Sequence, residues 1–120
     1  MYIIGGCDSN KGIRRNKNQD RAVCIIGSDQ ARGLSLGSVC DGIGSFKYSE
    51  LASSDMIYGM QDWYQEIIRE YPGRISAGEV LQSLEQRLIQ LNRSIYNYRK
   101  SYGTDIGCTM SIVLLMEDSF

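Results

Sequence analysis

The change of hydrophobic period after Asp41 constrains this chain more than any other feature. Ala52, Met56, Met60, Trp63, Ile67 and Tyr71 recur at steps of three and four, which places them on one face of an amphipathic helix from about Phe46 to Tyr71. Pro72-Gly73 stops it. Ser76-Ala77-Gly78-Glu79 then has the Ser-x-x-Glu form of a capping box, in which the serine accepts from a first-turn amide and the glutamate reaches back to the serine amide. The next stripe, Leu81, Leu84, Leu88, Leu91, Ile95, Tyr98 and Tyr102, ends at Gly103. It predicts a second helix, and the short connection predicts an antiparallel hairpin sharing one face of a sheet.

The sheet is predicted from short apolar or β-branched runs separated by turn residues such as Gly27-Ser28-Asp29: Tyr2 to Cys7, Arg21 to Ile26 and Leu34 to Cys40 before the helices, and Ile106 to Met116 after them. The order is β-β-β-α-α-β, an α+β arrangement. With 120 residues, 42% of them hydrophobic, the chain is long enough for one domain with a real core and no more. Helices on one face of so small a sheet leave its other face apolar and wet, so a partner layer is expected there.

Composition removes several chemistries. Histidine is absent, which excludes Ser-His-Asp and Cys-His catalysis, the His-Glu-x-x-His zinc site and any imidazole base. The formal net charge of −1 gives no general attraction for nucleic acid or an anionic membrane. Cys7, Cys24, Cys40 and Cys108 lack Cys-x-x-Cys spacing and fall in or at the ends of apolar runs, so they read as buried thiols. The first residues do not form a secretory leader, and no apolar run approaches the ~20 residues of a membrane span. The expectation is a cytoplasmic protein.

Oxygen ligands remain. Asp20 stands just before one strand-like run and Asp41 just after the next, so two adjacent strands could deliver both carboxylates to one rim. Taken singly, Asp20 is as well read as a turn cap and Asp41-Gly42 as an ordinary tight turn. The basic run Lys11, Arg14, Arg15, Lys17 and Arg21 lacks aromatic interleaving and reads as a solvated loop rather than a nucleic-acid footprint.

Four segments in order, Gly12-Ile13-Arg14-Arg15-Asn16-Lys17-Asn18-Gln19-Asp20, Asp41-Gly42-Ile43-Gly44-Ser45, Ser49-Glu50-Leu51-Ala52-Ser53 and Gly107-Cys108-Thr109, resemble the metal-dependent serine/threonine protein phosphatases of the 2C type, in a bacterial-style version. The resemblance covers nearly the whole chain but only the N-terminal half of that family's catalytic domain. It implies half of a four-layer α-β-β-α sandwich, in which antiparallel sheets packed face to face are flanked by antiparallel helix pairs. The family's later Asp-Gly and Asp-Asn motifs would lie past residue 120.

The resemblance also implies the chemistry. Asp20 and Asp41 would supply carboxylates and Gly42 a backbone carbonyl to Mn²⁺ or Mg²⁺, two ions in the complete domain, which activate a water against a phosphoserine or phosphothreonine ester. Arg15 would grip the phosphate, with Arg14 as its neighbour in rank, and Asn18 and Gln19 would support the ligands. Gln19 stands where many members have Glu, Ile43 where eukaryotic members have His, Ser45 and Ser49 where they have Gly, and Asn10 where bacterial members often have Asp. A phosphoprotein is the expected partner. The rival reading is a non-catalytic half-domain or pseudophosphatase that binds a partner, or itself, through the exposed sheet or the second helix.

Overall fold

In a computed structural model the described residues are 4–27, 33–71 and 75–116. They form β1 (Asp20–Ile25), β2 (Ser35–Gly42), α1 (Ser49–Glu70), α2 (Ala77–Tyr102) and β3 (Cys108–Leu115). The class is α+β, and the three strands make one antiparallel sheet in the order β1-β2-β3. The observed order is therefore β-β-α-α-β. The strand expected from Tyr2 to Cys7 is corrected: Ile4 to Cys7 are exposed and extend no ladder, while Tyr2 and Ile3 lie outside the described residues. Gly5 still runs close beside β1, since a Cβ on it would collide with Cys24 and Ile26. Ser28, Asp29, Pro72 and Gly73, expected as turn and stop residues, also lie outside the described residues.

Alternation sorts the strand residues onto two faces. Val23, Leu36, Ser38 and Cys40 are buried and share the helix-facing side with Ile25, Met110, Ile112 and Leu114. Helix α1 lies on that side and packs against all three strands, and α2 packs against α1. Contacts between Tyr48 and Tyr102, Asp55 and Tyr98, and Trp63 and Ser83 run in opposite chain directions, so the helices form the expected antiparallel hairpin. Two buried clusters fill the layer between. One gathers Leu36, Met60, Trp63, Tyr64, Val80 and Leu84; the other gathers Val23, Cys40, Ala52, Met56 and Ile95.

The capping box at Ser76 is present in both directions: Ser76 Oγ accepts from the Glu79 amide at 3.2 Å and Glu79 accepts from the Ser76 amide at 2.9 Å. Helix α1 begins three residues after Phe46, because Ile43 C=O accepts from the Phe46 amide in a tight turn and Tyr48 takes the left-handed conformation, φ 70°. In α2 the phase differs by one residue at the start. Val80 is buried while Leu81 is 59% exposed, so the inward stripe enters at Val80 and runs through Leu84, Leu88 and Leu91 to Ile95.

Candidate metal centre

Strand register brings the two acids together. Asp20 on β1 lies directly opposite Asp41 on β2, and Asp41 lies opposite Thr109 on β3. All three belong to the sheet face turned away from the helices, and all three are exposed. Directly opposed residues on antiparallel strands carry their Cβ atoms about 4.5–5.5 Å apart, so the carboxyls meet. Loss of hydration raises the Asp20 carboxyl above the ordinary carboxylate range, and the hydrogen bond and charge of Asp41 raise it further, while Arg15 and Arg21 pull it down.

The loop before β1 is held by its own polar side chains. Asn10 accepts from the Gly12 amide at 2.8 Å, and Gly12 has φ 70°. Asn18 accepts from the Asp20 amide at 3.0 Å and donates to Ser9 Oγ at 2.8 Å. That is the two-residue reach that lets asparagine turn a chain into a strand. Arg21 donates at 2.7 Å to the carbonyls of both Asn18 and Asp20. Arg15 folds over the loop after Asp41, where a Cβ on Gly44 would strike its guanidinium. Arg15 is thus placed beside the acid pair, and Arg14 is exposed.

The neighbours expected to support the acids divide. Asn18 sets the backbone of Asp20. The side chain of Gln19 turns instead toward α1 and donates to Phe46 C=O at 3.4 Å and, weakly, to Glu50 at 3.5 Å. Its carbonyl accepts from the Gly42 amide at 3.2 Å and from Ser53 Oγ. Gly42 is buried, and a Cβ on it would come within 2.8 Å of Gln19 and 3.2 Å of Ser49. Close approach of this neighbouring main chain and helix start therefore already requires glycine here, whatever the carbonyl binds.

Glu50 in the first turn of α1 receives Lys17 at 3.1 Å. Loss of hydration would raise its carboxyl, but its own backbone amide, Lys17 and Gln19 outweigh that and hold it below the usual range. Thr109 and Arg21 are the members of this neighbourhood that sequence reasoning did not assign. The signal for Thr109 was pairing register, which no single strand carries.

The acid pair offers adjoining carboxylate oxygens, the donor chemistry of a hard cation. Among the described residues no group of three or more His, Cys, Asp and Glu side chains gathers as a metal site. Asp20 and Asp41 are the side chains here that could hold a hydrated hard cation. No helix among the described residues is long and apolar enough to cross a membrane. No family model matches this chain, and neither does any curated protein or solved structure.

The cysteines behind the site correct the reading of four buried thiols. All are free; Cys40 is buried, Cys24 and Cys108 are half-buried and Cys7 is exposed. The neighbouring Cys108 thiol first, and burial second, raise the Cys40 thiol strongly, whereas Cys40 lowers Cys108 against burial and the charge of Asp41.

Proposed function

We propose that this chain is the N-terminal portion of a metal-dependent serine/threonine protein phosphatase of the 2C type, acting on a phosphoserine or phosphothreonine protein in the cytoplasm. The observation that carries the reading is the direct cross-strand pairing of Asp20 with Asp41, beside an arginine held over Gly44. The divalent ions of such a site, Mn²⁺ or Mg²⁺, supply an activated water and neutralise phosphoryl charge. Asp20 and Asp41 orient one ion, Thr109 lines the same row, and the planar fork of Arg15 binds phosphate oxygens. Because Ile43 stands where eukaryotic members of the family carry a histidine, the proton for the leaving group is expected from water.

The fold belonging to this reading is the four-layer sandwich, with a second sheet packed on the face that carries the acids. Val39 and Val113 on that face are 57% and 59% exposed, apolar side chains that a second sheet would cover. The same surface supports the rival reading, a non-catalytic module that binds a partner there. Mn²⁺-dependent phosphate release from a phosphoserine peptide separates them, assayed with this chain and with any longer product of its gene. This chain alone is expected to turn over little or not at all; a longer product is expected to be active and to lose activity in Asp20→Asn and Asp41→Asn. Activity that survives both substitutions contradicts the site.

A further inference from the structure

We propose that Cys40 and Cys108 are an oxidation site, closing a reversible cross-strand disulfide when the protein meets a peroxide. Cys108 pairs with Gly42 and Cys40 with Met110, so the two cysteines are diagonal neighbours on adjacent strands, two residues apart in register. Both lie on the helix-facing side within one buried cluster. The partner opposite Cys108 is a glycine, and the Cys40 and Cys108 thiols are close enough to influence one another. Cys24 lies on β1 on the opposite face of the sheet, and Cys7 precedes that strand. Neither is positioned to compete. This inference stands apart from the phosphatase reading.

Cys108 is the more accessible of the pair and reacts first. Its sulfur takes one oxygen of hydrogen peroxide, becoming a sulfenic acid as the other oxygen leaves in water. The Cys40 sulfur then attacks the sulfenyl sulfur; the S–S bond forms, the S–O bond breaks, and the hydroxyl leaves as a second water with the Cys40 proton. Two thiols are oxidised and one peroxide reduced. Diagonal residues of this kind stand about 7–8 Å apart, beyond the ~4.4–6.8 Å between Cα atoms that an unstrained disulfide prefers. Closure therefore draws β2 against β3, and the strained bond returns readily to thiols with a dithiol reductant. Because Cys40 and Gly42 flank Asp41, the movement falls on the strand segment that presents the acid.

The test uses the full chain with Cys7→Ser and Cys24→Ser, treated with one equivalent of hydrogen peroxide, alkylated, digested and mapped by mass spectrometry. The expected result is an intramolecular link between the Cys40 and Cys108 peptides, with titratable thiols falling from two per chain to none and returning under dithiothreitol. The wild-type chain, mapped in parallel, is expected to give the same link whether or not the double variant folds well. Unlinked cysteines, sulfinic or sulfonic products alone, or links that run between chains overturn the proposal.

Discussion

Opposed carboxylates on neighbouring strands repel when both are ionised, and Asp20 and Asp41 are held in that arrangement. The raised Asp20 carboxyl means that the folded chain keeps a proton that the unfolded chain gives up. Stability should therefore fall as pH rises from the ordinary aspartate pKa through the raised one. Asp20→Asn removes the repulsion while keeping the shape, and is expected to stabilise the metal-free protein by about 0.5–1 kcal/mol at neutral pH, shrinking to nothing in acid. Thermal melts of both proteins across that range, in the presence of a chelator, check it. At this scale the sequence was legible where chemistry is carried by residue type. The acids and Arg15 meet as read, but the inward turn of Gln19 and the alignment of Thr109 depend on tertiary contacts with Phe46, Ser53 and β2.

Helix α2 shows which element boundaries a sequence sets for itself. Its start is written in a local code, and both hydrogen bonds of the box at Ser76 and Glu79 form as that code demands. Ser76→Ala is expected to lower stability by about 1 kcal/mol, read as a shift in the urea midpoint. Two bonds to Ser76, one to its backbone amide and one to its hydroxyl, hold the Glu79 carboxyl below the usual range. Its share of the stability is therefore present above the ordinary glutamate pKa and lost as pH falls through the lowered one. Tyr64 makes a parallel case in α1: its buried hydroxyl donates to Leu34 C=O at 2.6 Å. Tyr64→Phe strands that carbonyl and should cost about 1–3 kcal/mol in the same measurement. Less of this scale was legible where partners decide. Ile4 to Cys7, the described part of the expected first strand, form no ladder, and the stripe of α2 shifts from Leu81 to Val80 because the sheet and α1 select the buried phase.

Across the whole molecule, the hairpin of helices covers one face of the sheet and leaves Asp20, Asp41 and Thr109 on the other, together with Val39, Val113 and Leu115. An uncovered apolar face was foreseeable from a small sheet with helices on one side. That both acids fall on this uncovered face rather than on the helix side was not, because register is set by which strand residues the core buries. The most direct test of the central claim is calorimetric titration of the chain with Mn²⁺ in two buffers of different protonation enthalpy. The expected result is one ion bound with Kd of about 0.1–1 mM, as suits few protein ligands, with proton release that grows as the titration pH is lowered toward the raised Asp20 range. Asp20→Asn and Asp41→Asn should each abolish the heat. Mn²⁺ binding of equal affinity in both variants, or no binding by the wild-type chain, would contradict the claim that these opposed carboxylates form a cation site.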